Sequence, residues 1–135
     1  MTEVFYMDLE QIQPSQLYIS KRKLRKIQKA IDPTDVSTLE VVPIKKLGSD
    51  IIYTDGHTRA YAAYLAGITR IRVEWETEDL DWEMYEICVG WCKEAGIFTV
   101  VDFKGREIDQ KSYRKLWYKR CALMQNEINE NRMKV

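Results

Sequence analysis

The spacing of apolar residues changes several times along the chain, and each change predicts an element. Residues 4–9 (VFYMDL) form a first strand, closed by a turn through Pro14-Ser15. Ser20 then stands as an N-cap for a helix over 21–31, on which Leu24, Ile27 and Ile31 recur at helical spacing. Asp32-Pro33 stops that helix. Residues 40–47 (EVVPIKKL) predict a second strand, and Pro43 within it suggests an edge position or a bulge. A short strand, 51–53 (IIY), runs straight into Thr54-Asp55-Gly56, and an Ala-rich helix follows over 57–66, closed by Gly67. Residues 68–76 alternate as another strand, with Ile71, Val73 and Trp75 set against Arg70, Arg72 and Glu74.

The last third of the chain is mostly helical. A helix is predicted over 81–94, with Trp82, Tyr85 and Val89 on one stripe, and Gly96 ends it. Residues 97–103 are expected to be extended. A final helix over about 109–129 turns Leu116, Trp117, Cys121 and Met124 inward, and the polar tail 127–135 is expected to fray. No repeat, low-complexity tract or linker interrupts these elements. The fold class is therefore α+β: a small mixed β-sheet with packed helices and a helical C-terminal third, as one domain over 1–135.

Composition narrows the function classes. Of 135 residues, 45% are hydrophobic and 31% charged, which suits a folded globular domain. No stretch is apolar enough to span a bilayer, and the acidic N-terminus has no apolar signal region, so a cytoplasmic location and no membrane partner are expected. The 21 basic residues balance the 21 acidic ones. Nucleic-acid binders depend on phosphate contacts and carry a basic excess, so DNA is a possible but not a favoured partner. Three cysteines without a CxxC pair read as reduced thiols packed in the core, and with one histidine they do not suggest a structural zinc site.

Candidate chemistry gathers at Asp55-Gly56-His57-Thr58-Arg59. A strand, a tight turn and a helix aim unpaired backbone N–H groups at an anion, and the helix dipole favours negative charge there. Gly56 leaves room for a phosphate; Thr58 and Arg59 add donors; His57 offers a donor or a proton shuttle. Asp55 is placed to cap the helix or to hold magnesium beside the phosphates. A second reading fits the same residues: an ordinary Asp-Gly turn, with Arg59 paired to a carboxylate. The distribution of charge bears on the choice. Lys21, Arg22, Lys23, Arg25, Lys26 and Lys29 make the first helix basic, while Glu74, Glu76, Glu78, Asp79, Asp81, Glu83 and Glu86 form an acidic segment. The basic helix is suited to focusing anions towards a nearby cleft. Lys104 and Arg106 flank a loop that could close over a phosphate, Arg114 and Arg120 could pair with the acidic segment, and Tyr113 or Trp117 could reach a ligand.

Over residues 4–75 the order of parts resembles the ParB/sulfiredoxin superfamily. The resemblance rests on the "IQPSQL" turn, "EVVPIKKL", "IIYTDGHTRAYAAYLAG" and "ITRIRVEW". Its best-matched piece, Asp55 to Arg59, is most similar to the Asp-Gly-His-X-Arg motif of ParB-like free serine kinases. ParB proteins carry Gly-Glu-Arg-Arg there and sulfiredoxins Gly-Cys-His-Arg. The resemblance implies a core over 1–76 with a helical extension over 77–135. It also implies phosphate binding by Gly56, His57, Thr58 and Arg59, with ADP, ATP or CTP as ligand and Asp55 on Mg. His57 replaces the sulfiredoxin cysteine, which removes that repair chemistry. The serine kinases use a Glu in the N-terminal turn as base, where this chain has Gln16-Leu17-Tyr18-Ile19-Ser20; Glu10 is the nearest upstream carboxylate. Asp55 and His57 remain the candidate catalytic groups for phosphate transfer to a small hydroxyl compound such as serine. The other implied function is a non-catalytic regulatory or DNA-partition-associated binding module.

Overall fold

The computed structural model describes residues 3–134 and has an α+β fold. Four strands, β1 (Val4–Asp8), β3 (Val42–Leu47), β4 (Asp50–Tyr53) and β5 (Arg70–Trp75), form a mixed sheet in the order β1-β5-β3-β4. β1 runs antiparallel to β5, with Val4 opposite Glu74 and Asp8 opposite Arg70. β3 and β4 make a hairpin in which Ile44 faces Tyr53. Helix α2 (His57–Leu65) carries the chain back so that β5 lies parallel to β3, with Val42 opposite Val73. A second, two-stranded parallel sheet joins β2 (Ile19–Ser20) to β6 (Glu107–Ile108).

Pro43 lies on an inner strand, contrary to the expected edge or bulge. The Thr54 N–H donates to the Pro43 carbonyl at 3.2 Å, but the reciprocal ladder bond needs an N–H that proline lacks. The Tyr85 hydroxyl donates to the Thr54 carbonyl at 2.9 Å instead. One side-chain bond thus replaces a missing backbone bond where the β3–β4 ladder ends.

Helix α1 (Lys21–Ala30) begins at Ser20, whose side chain accepts from Lys23 N–H. It packs on α2, where Ala60, Ala62 and Ala63 are fully buried and let the backbones come close. α2 ends in a Schellman motif: Ile68 N–H donates to Ala63 and Gly67 N–H to Tyr64, with Gly67 at φ +83°.

Three expectations for the C-terminal third fail. Residues 97–103 are not extended but contain a 3₁₀ turn, Val100–Phe103. A capping box causes this: Thr99 accepts from Val101 N–H, while the Asp102 carboxylate accepts from Phe98 and Thr99 N–H. The last helix runs as α4 (Gln110–Tyr113), a π-helical stretch (Arg114–Tyr118) and α5 (Lys119–Met133), so residues 127–133 continue the helix. Val135 lies outside the described residues. The π-helical stretch also rotates the register, leaving Leu116 exposed while Trp117, Met124 and Ile128 are buried.

The remaining helix, α3 (Trp82–Glu94), packs on α5 and is capped by Asp81. Arg132 pairs with Asp81 at 2.9 Å and also reaches Glu83, so the partner of the acidic segment is Arg132. Of the two arginines expected there, Arg120 lies 4.0 Å from the Trp91 ring centroid, and Arg114 makes no ion pair among the described residues. A single cluster of buried residues joins Ile12, Ile44, Tyr61 and Val73 to Cys92, Phe103, Trp117 and Ile128, so the helical third shares the core of the sheet. The three cysteines are free thiols, with Cys88 and Cys92 buried and Cys121 half-buried.

Candidate functional site

The functional segment begins where β4 ends. Gly56 takes φ +80°, a left-handed conformation, and is the N-cap of α2 in place of the expected Asp55. The first backbone bond of α2 runs from Ala60 N–H to the Gly56 carbonyl at 3.0 Å. The N–H groups of His57, Thr58 and Arg59 precede that ladder and form the donor end of the helix. A Cβ on Gly56 would stand 3.0 Å from Arg59 Nη2 and 3.1 Å from Val42 Cγ1, so the turn is closed tightly over the guanidinium.

Arg59 is consequently a strut as well as a charge. Its Nη1 donates to the Val41 carbonyl at 2.9 Å and lies 3.5 Å from Glu40, while Nη2 lies 3.5 Å from Asp55. The side chain is 17% exposed, which leaves part of the fork facing solvent. Asp55 is by contrast 79% exposed.

His57 is buried, and its Nε2 accepts the Ser15 N–H at 2.9 Å, with Ser15 Oγ at 3.3 Å. An accepting Nε2 places the proton of the neutral ring on Nδ1. Burial, helped by Arg59 and opposed by Asp55, pushes the imidazole pKa down to about 3. The expected proton shuttle near neutral pH is therefore replaced by a fixed neutral imidazole, whose Nδ1–H has no acceptor among the described residues.

The basic helix closes the other side. Lys23, Lys26 and Ile27 of α1 line one cleft of about 260 Å³ together with Gln16, Asp55, Gly56, His57, Thr58, Arg59 and Tyr113. Lys23 Nζ donates to the Tyr118 hydroxyl at 2.9 Å and sits 5.4 Å from the centre of the Tyr113 ring, so the last helix holds it in place. Lys26 makes no hydrogen bond or ion pair among the described residues. The Thr58 hydroxyl is likewise unpaired among the described residues.

Several candidates from the sequence lie elsewhere. Trp117 packs edge-on against Trp91 and is not a lining residue, although Tyr113 is. Arg106 donates through Nε to the Leu17 carbonyl at 2.7 Å and stacks on Tyr18, which makes it a fastening of the N-terminal turn. Lys104 is exposed and does not line the cleft. Glu10 lies in a 3₁₀ turn, Leu9–Gln11, and Asp55 is the carboxylate that lines the cleft.

A divalent ion at Asp55 fits the residues present only in one form. Among the described residues no three His, Cys, Asp or Glu side chains are placed to hold a metal by themselves. Magnesium in phosphate sites takes one or two carboxylates and completes its shell with phosphate oxygens and water, and a single exposed carboxylate meets that need.

The N-terminal turn, considered above for the place of a catalytic Glu, also carries Ser15, whose bond to His57 had no signal in the sequence. It is tied down by the C-terminal third: Gln13 donates to the Ile97 carbonyl at 2.8 Å, Cys92 Sγ to Gln16 at 3.4 Å, and Ile19 N–H to Arg106 at 3.1 Å. The helical extension thus positions one wall of the cleft.

No protein-family model matches the chain. No curated protein matches it either. Among solved structures it is similar to protein Atu1540 from Agrobacterium tumefaciens, with a TM-score of 0.48 and 12% identity, covering 73% of this chain and 51% of that one. The chain thus spans about half the length of that protein.

Proposed function

We propose that the cleft between α1 and the start of α2 binds the phosphates of a nucleotide, in a chain of ParB/sulfiredoxin-like descent. The observation that carries this reading is that Lys23 and Lys26 line the same cleft as the Gly56–Arg59 turn. A helix N-terminus alone is a weak anion site, but facing cations that make no ion pair among the described residues raise the local potential further. In this reading the N–H groups of Thr58 and Arg59, the Thr58 hydroxyl and the His57 Nδ1–H donate to phosphate oxygens, and Lys26 neutralises them. ADP, ATP and CTP are the candidate ligands, and Mg on Asp55 would offset part of their charge.

Phosphate transfer to serine or a similar alcohol is a further step within the same proposal. It needs a base within hydrogen-bond reach of the acceptor hydroxyl. The neutral, low-pKa His57 is unsuited to that task, Gln16 cannot take a proton, and Asp55 is the available carboxylate. One group would then serve both metal and acceptor, which favours binding over catalysis as the basic function.

The test is calorimetric titration with ADP, ATP and CTP, each with magnesium, on the wild type and on Lys26→Ala. Loss of one charge-assisted contact weakens binding by roughly tenfold to a hundredfold. Absence of binding by the wild type to all three nucleotides would reduce the segment to a structural turn.

A further inference from the structure

Beyond the cleft, α1 presents a second charged surface. Lys21, Arg22, Arg25, Lys26 and Lys29 line a single open groove on its outer side, together with Asp109 and Gln110 at the start of α4. All five cationic side chains are exposed, and none makes an ion pair among the described residues. The carboxylate facing them is Asp109, which is held below the usual carboxylate range first by its hydrogen bond from Ser112 and then by Lys21. It already caps α4 and offsets at most one of the five charges.

This arrangement works against the helix that bears it. The first turn of α1 contains no acidic residue, and Lys21, Arg22 and Lys23 crowd the positive end of its dipole. Lys21–Arg25, Arg22–Lys26 and Arg25–Lys29 are like-charged pairs four residues apart, a spacing at which they repel. Local rules broken without a compensating contact point to a surface kept for a ligand.

The chemistry of the groove selects that ligand. The apolar residues of α1 are turned away from it: Leu24 is buried and Ile27 half-buried. A membrane-surface helix needs exposed apolar residues beside its cations, and protein interfaces are depleted in lysine. A row of phosphates needs neither. The helix is about 15 Å long, a length of duplex axis over which the two strands together carry roughly nine phosphates. The zero net charge of the chain does not oppose this, because the balance is struck over the whole chain, with seven of the 21 acids in the 74–86 segment and Asp109 as the acid in the groove.

We propose that the outer face of α1 binds the phosphate backbone of double-stranded nucleic acid without reading its sequence. Lys26 lies on the boundary with the nucleotide cleft, so the other four cations define this surface independently of that site.

The test is fluorescence anisotropy with a labelled DNA duplex of about 20 base pairs and mixed sequence, over roughly 50–200 mM salt. The wild type should bind with a log–log salt slope near about −3.6, the value for four neutralised phosphates. The quadruple variant Lys21→Gln, Arg22→Gln, Arg25→Gln, Lys29→Gln should lose at least about tenfold in affinity at the lowest salt. Its melting temperature should stay level or rise, since repulsion within α1 is removed. The single variants Arg22→Gln and Lys29→Gln should each reduce the slope by about 0.9, a readout that survives even if the quadruple variant folds poorly. No duplex binding by the wild type at low salt, or equal binding by the variants, would overturn the proposal. So would binding to phosphatidylserine vesicles in place of the duplex, or a concentration-dependent dimer abolished by the same substitutions.

Discussion

Ser15 N–H donates to Nε2 of His57 at 2.9 Å, joining the N-terminal turn to the first residue of α2. The bond crosses 42 positions of sequence and fixes the imidazole in one tautomer and one orientation. It also keeps the ring neutral, because a protonated Nε2 would face the Ser15 N–H as a second donor.

That relationship makes the fold sensitive to acid in a defined window. His57 titrates near 6.5 in an ordinary environment and is pushed down to about 3 by burial here. Between these values the unfolded chain holds the extra proton, so stability rises with pH. The contribution is complete above pH 6.5 and falls by up to about 1.4 kcal/mol per pH unit as the pH drops towards 3. Urea denaturation at about pH 7.5 and about pH 5 should show the loss in the wild type and a smaller one in His57→Gln. Equal slopes in the two proteins would contradict the assignment.

Gly56 and Gly67 share a positive φ but differ in surroundings. A methyl group added at Gly67 would meet nothing within 4 Å, whereas one at Gly56 would face Arg59 and Val42. Gly67→Ala should cost about 1–2 kcal/mol for the backbone alone. Gly56→Ala should cost a further 1–3 kcal/mol or so for overpacking. Chemical denaturation of both variants checks the order; an equal cost would mean that the close approach at Gly56 relaxes freely.

Lys26 and Arg59 should separate binding from folding. Lys26→Ala should weaken nucleotide affinity by roughly tenfold or more while changing stability by no more than about 0.5 kcal/mol. Arg59→Ala should weaken binding too, but also destabilise the protein by about 1–3 kcal/mol, because the Val41 carbonyl loses its donor. Paired calorimetry and thermal melts distinguish the two roles. A Lys26→Ala protein that binds as tightly as the wild type would remove the basic helix from the cleft.

Tyr85 and Pro43 should be energetically coupled. Tyr85→Phe leaves the Thr54 carbonyl without its side-chain donor and should cost about 1 kcal/mol. In a Pro43→Val background the restored N–H can take the same carbonyl, and the cost should shrink. A double-mutant cycle by urea denaturation measures the difference, and strict additivity would show that the hydroxyl does not substitute for the ladder bond.

Much of this architecture was legible because local rules agree with one another. The Ser20 cap, the Asp32-Pro33 stop, the Ala-rich stretch closed by Gly67 and the alternation around Ile71 and Val73 each depend on neighbours in sequence. The 3₁₀ turn at Val100–Phe103 was legible too, in the Thr99-to-Asp102 spacing of a capping box, but the apolar run IFTVVDF masked it. Pro43 misled for the opposite reason. Its strand position was right, but the Tyr85 hydroxyl that makes an inner place tolerable comes from a distant helix.

At the candidate site the division is the same. Local sequence is enough for a strand–turn–helix unit with Gly56 at its tight point and for a basic α1, since conformational preference and charge belong to the residues themselves. Long-range packing is what brings Lys26 and Tyr113 to that turn in one cleft, commits an Arg59 donor to Val41, and sets His57 against Ser15 rather than leaving it to titrate near neutrality. Those outcomes depend on which buried groups meet across long stretches of chain and on how much water they lose, and no local pattern records either.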